Sequence, residues 1–169
     1  HPLSITRAKG YYMKRILGAA AVASLAVATP AQSACWTDTA YQAAQIRNFE
    51  TMMMVSMLRC RLVGNDFTAT YNSFVRDKRP VLSAANEELR AQFAKTVGAA
   101  KAMNAYDDYM TKVANSNGAG NDGLSCRDFS SIVDAAAHGP ATRDAVASLA
   151  ERAGTNPRLP GARCGTSVA

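Results

Sequence analysis

Hydrophobic and polar positions follow a helical period along most of the chain. In residues 35–60, CWTDTAYQAAQIRNFETMMMVSMLRC, the apolar positions Ile46, Phe49, Met53, Met57 and Cys60 recur every three or four residues and fall on one helix face. The run holds no Gly or Pro and is rich in strong helix formers. It opens at Thr37 and Asp38, whose oxygens suit free N–H groups, and Gly64 lies just past its end. From Met52 to Leu58 only Ser56 is polar. A helix apolar on most sides is usually enclosed by others, which predicts this segment at the centre of a bundle.

The pattern continues beyond it. Gly64-Asn65-Asp66 reads as a stop and a new N-cap, and Phe67, Tyr71, Phe74 and Val75 carry a second amphipathic helix toward Lys78. Pro80 falls inside this run, yet Val81, Leu82, Ala85, Leu89 and Phe93 keep its phase. Either one helix kinks at Pro80 or two abut there, and the unbroken phase favours the kink. After Thr96-Val97-Gly98 a third helix is predicted over 99–114, with Met103, Tyr106, Met110 and Val113 on one side. Residues 115–123, NSNGAGNDG, read as a loop. Ser125 and Asp128 form a capping-box pattern opening a fourth helix over 126–137, with Phe129, Ile132, Val133 and Ala136 inward. A fifth, over 141–153, directs Val146, Leu149 and Ala150 inward. The remainder, TNPRLPGARCGTSVA, is predicted irregular and would fray unless Cys164 secures it. No stretch shows strand alternation. The expected fold class is all-α: a disulfide-stabilised bundle of about five helices with an irregular C-terminal tail.

Residues 1–33 differ from the rest. Met13-Lys14-Arg15 precedes a mostly apolar segment, 16–28, followed by small residues and Pro30, the outline of a secretory leader too short to span a bilayer. Cleavage after Ser33 would place Ala31 at the minus-three position, and cleavage after Ala31 would place Thr29 there; both stay open. Gln32 stands where a lipoprotein signal wants a bulky aliphatic residue, which argues against lipidation of Cys35. The expected organisation is an upstream extension over 1–12, a signal peptide over 13–33 and a single mature α-helical domain over 34–169. Such a chain is periplasmic or secreted from a bacterial envelope and has no membrane span once the leader is gone.

The leader changes the charge balance. The whole chain carries +6, but Arg7, Lys9, Lys14 and Arg15 lie in residues 1–33, the extension and leader together, which hold no acid. The 19 basic residues then fall to 15 against 13 acidic ones, a balance of +2 with the signs interspersed. That argues against a nucleic-acid partner. The local cluster Arg76, Lys78 and Arg79, interrupted by Asp77, is expected on a solvated helix surface rather than against lipid or polyanion.

All four cysteines follow the leader, and an even count in an exported chain predicts two disulfides. Spacings without CxxC or CxxxC argue against a zinc site or a thioredoxin-like pair. A continuous helix over 38–59 would separate its ends by roughly 33 Å, whereas a disulfide needs Cα atoms within about 7 Å. Cys35–Cys60 is thereby excluded. Of the other two pairings, Cys60–Cys126 with Cys35–Cys164 is favoured, because an up-and-down bundle starts the fourth helix near Cys60 and lets the tail return to Cys35.

Candidate chemistry is sparse. Met53 and Met57, one turn apart in a Met-rich run, are the candidate soft-metal ligands, with core filling as the ordinary role of such residues. Glu50, beside Phe49, is the weak candidate for a catalytic acid, because partial burial suits a carboxyl to acid–base work. His138, the one histidine after the leader, is expected to cap a helix C-terminus. No Gly-x-Ser-x-Gly elbow accompanies it. The 115–123 loop has the Gly and Asn density of a calcium loop but no closing Glu, and Cys60, between Arg59 and Arg61, is expected in a disulfide rather than as a reactive thiolate. No cofactor is implied. The expectation is a non-enzymatic exported protein that binds a protein or peptide partner, as an inhibitor or chaperone-like factor. The alternatives are a small cell-wall hydrolase using Glu50 and a metal or hydrophobic-ligand carrier using the Met-rich helix.

Overall fold

Helix α1, Asp38–Leu62, forms where the sequence places its strongest formers, and it begins on a side-chain cap: Thr37 Oγ1 accepts from the Ala40 N–H. Its face of Ile46, Phe49, Met53, Met57 and Cys60 is buried. In a computed structural model, which describes residues 34–120 and 123–165, five further helices follow: α2 (Thr68–Asp77), α3 (Arg79–Val97), α4 (Ala99–Gly118), α5 (Cys126–His138) and α6 (Arg143–Arg152). The expected upstream extension and leader lie outside the described residues. All five helices pack on α1, α3 and α4 form a hairpin, and α5 also packs on α2. The chain is all-α among the described residues, and its helices enclose one continuous apolar core.

Three elements differ from the sequence pattern. The Pro80 run is two helices, not one kinked helix, so the described residues form six. Lys78 (φ −100°, ψ 9°) separates α2 from α3, since Pro80 lacks an N–H and its ring crowds the preceding turn. Phase survives because Lys78 N–H donates to Phe74 O and Lys78 O accepts from Leu82 N–H, at 2.9 and 3.0 Å. Helix α4 runs four residues beyond its expected end. Asn117 Nδ2 donates to Val113 O and to Asn48 Oδ1 on α1, giving the polar NSNG segment partners inside the helix. The buried face of α4 centres on Tyr106, Tyr109 and Val113, which turns Met103 to the edge, 51% exposed.

Both expected disulfides are present, Cys35–Cys164 with Cα atoms 5.0 Å apart and Cys60–Cys126 with 5.6 Å. The irregular tail is fastened to the start of α1 by more than its sulfur. Trp36 N–H donates to Ala162 O and Cys164 N–H to Trp36 O, each at 2.9 Å, forming an isolated parallel bridge. Arg163 reaches Asp38 Oδ1 at 2.6 Å and lies 4.0 Å over the Tyr41 ring. Beneath this strap Trp36 is fully buried, edge-on to Phe93 and beside Tyr109. Gly161 covers its indole nitrogen so closely that a Cβ there would sit 3.2 Å from Nε1.

Candidate functional site

Glu50 lies on α1 with its side chain 14% exposed, and both oxygens are engaged. Arg47 Nη1 donates to Oε2 at 2.5 Å and Tyr71 Oη donates to Oε1 at 3.4 Å. Burial, with the Glu50 charge added to it, pushes the Tyr71 phenol well above its ordinary range. The constellation is an intramolecular ion pair with a phenol donor, and neither cleft described below includes Glu50.

Met53 is fully buried and Met57 nearly so, and the Met57 sulfur accepts from Thr68 Oγ1 at 3.2 Å. These thioethers fill the centre of the bundle and tie α1 to the first turn of α2. Among the described residues, no group of three or more His, Cys, Asp or Glu is placed to hold a metal ion. His138 is exposed at the last residue of α5, with Nδ1 3.0 Å from Asp134 O and 3.3 Å from its carboxylate. That geometry fits a side chain serving the carbonyl end of its own helix. At the other end of α5, Ser125 and Asp128 form the capping box, and the Ser125 hydroxyl and N–H hold the Asp128 carboxyl below its usual range.

Lys78 overturns the expectation of a solvated cluster. Arg76 and Arg79 are exposed, but Lys78 is only 4% exposed. Its Nζ donates to Ala137 O at 3.0 Å and to Gly139 O at 2.6 Å. A buried ammonium is tolerated only when its donors are satisfied, and here two carbonyls at the negative end of α5 satisfy it. Lys78 thereby fixes the Gly139-Pro140 turn that leads to α6. On one side of that turn lies a cleft of about 180 Å³ between α5 and α6, floored by Phe74 and Val146. On the other, Thr70, Ser73 and Arg76 of α2 face His138 across an open groove of about 410 Å³.

The surface differs most at the C-terminal end of α1. Leu58, Leu62 and Val63 are 44%, 83% and 75% exposed. At 100° per residue Arg61 and Arg59 flank the Leu58–Leu62 ridge on either side, and both are exposed. The Arg59 guanidinium extends toward Gly120 beyond α4. No helix of the described residues is long and apolar enough to cross a membrane. Compared with known proteins, the chain matches no family model, no curated protein and no solved structure.

Proposed function

We infer that the protein is an exported, non-enzymatic helical protein that acts by binding a protein or peptide partner, with the C-terminal end of α1 as its contact surface. The observation that carries this reading is the bare apolar ridge Leu58–Leu62 between two arginines, with exposed Val63 beyond it, on a bundle whose helices otherwise enclose a continuous apolar core. Side chains of this size standing free at a helix end favour burial against something else, and arginine at their margins suits an interface rim. Two disulfides support export, because such bonds persist in oxidising compartments. The hydrolase reading draws no support from an acid whose oxygens are both engaged, nor the carrier reading from thioethers sealed in the core.

Photo-cross-linking tests the reading. With benzoylphenylalanine at position 62, the oxidised protein in envelope extract is expected to give a discrete adduct. The same group at exposed position 108 on α4 gives none. Excess unmodified protein suppresses the adduct, and excess Leu62→Asp/Val63→Asp does not. Equal labelling from both positions, or none from 62, contradicts the reading.

A further inference from the structure

A second feature, at the opposite end of α5 from the Cys60–Cys126 bond, goes beyond that reading. The cleft between α5 and α6 has an apolar floor of Phe74, Ala136 and Val146, each buried, and walls kept short by Ala135, Gly139 and Ala145. Gly139 has no room to be larger, since a Cβ would meet Ala135 O at 2.9 Å. The turn carrying it is held from beneath by Lys78. At about 180 Å³ the space suits one branched aliphatic group or one ring, since cavities of roughly 150 Å³ accept benzene.

Among the described residues, Arg152 is the one charged side chain lining the cleft. It shares a face of α6 with Ala145, Ser148 and Leu149, and its Nη1 donates to Ser148 Oγ at 2.6 Å, which steadies the guanidinium at the rim. The acidic residues of α6, Asp144 beside Ala145 and Glu151 beside Arg152, are turned about 100° from that face. Guanidinium and carboxylate pair through charge-assisted, often bidentate, hydrogen bonds. The geometry points to a binding site for a small apolar carboxylate, its aliphatic or single-ring group on the Phe74–Val146 floor and its carboxylate on Arg152. Two sources present that chemistry, the C-terminal residue of a peptide and a free fatty acid.

The test is an NMR titration of the oxidised protein with N-acetyl-leucine and with N-acetyl-leucinamide. The acid is expected to shift the amides of Ala135, Ala145 and Leu149 saturably and to bind about tenfold more tightly than the amide. Arg152→Gln brings the two to the same affinity, and Ala145→Leu fills the cleft and removes both. A tetrapeptide ending in free Leu that binds more tightly than octanoate assigns the site to peptide C-termini, and the reverse order assigns it to fatty acids. No saturable shift, equal affinity of acid and amide for the unaltered protein, a preference that survives Arg152→Gln, or binding that survives Ala145→Leu overturns the proposal. None of these probes depends on Leu58, Leu62 or Val63, so this site and the α1 surface stand or fall separately.

Discussion

At the N-terminal end of α1 the disulfide is exposed and what lies beneath it is covered; at the C-terminal end Cys60 is buried and the residues that follow are bare. Cys35–Cys164 ties a tail without regular structure across Trp36, aided by two backbone hydrogen bonds and the Arg163–Asp38 pair. Cys60–Cys126 fastens the first residue of α5 to the last turns of α1 and stops there, with Leu62 and Val63 left exposed beyond it. The same kind of bond sits over covered apolar groups at one end and beside exposed ones at the other. Burial of the aromatic cluster serves stability, whereas the ridge at the far end contributes little to folding and is available for binding.

Removing either disulfide gives the largest expected effect, about 2–5 kcal/mol of unfolding free energy in urea titrations, because each closes a long loop. The two losses differ in a second readout. Cys35→Ser/Cys164→Ser shifts the emission of Trp36, the single tryptophan, to the red and opens it to quencher in the folded protein. Cys60→Ala/Cys126→Ala leaves the native emission unchanged. Equal emission changes would erase the distinction between the ends. Next, Lys78→Met leaves two carbonyls at the end of α5 without their charged donor and is expected to cost about 2–4 kcal/mol in the same titration.

Alkaline pH probes the covered end more gently. Burial first, and the neighbouring Tyr41 second, push the Tyr109 phenol up to about 12 from an ordinary value of 10.0. The unfolded chain therefore loses this proton before the folded one. The stabilisation is complete below pH 10 and is lost as pH rises toward about 12, on the order of 2 kcal/mol, and Tyr109→Phe flattens that part of the stability–pH curve. The smallest effect is expected at the bare end, where Leu62→Ser and Val63→Ser shift stability by less than about 0.5 kcal/mol.

Much of this was legible in the residues. The three-to-four spacing through Ile46, Phe49, Met53 and Met57 located the central helix, and its length alone excluded Cys35–Cys60. Ser125 and Asp128 announced the start of α5 as a capping box. Other features depend on partners far along the chain. Lys78 reads as surface charge because the carbonyls that take it inward come 59 and 61 residues later. Trp36 precedes the periodic run, so nothing local marks it for burial; only its place beside Cys35 hints that the tail crosses it. The α5–α6 cleft has no local signature either, since its floor combines Phe74 of α2 with Val146 of α6. Leu62 and Val63 carry no sign of exposure beyond their place just before Gly64.

The most direct test compares the partner captured at position 62 against two variants, measuring affinity and melting temperature together. Leu62→Asp/Val63→Asp is expected to weaken binding at least about a hundredfold with the melting temperature held, a loss of about 2.7 kcal/mol. Cys35→Ser/Cys164→Ser is expected to lower the melting temperature while keeping the affinity of the folded protein. The reverse pattern, with binding lost at the strapped end and kept at the bare one, would contradict the assignment of function to the C-terminal end of α1.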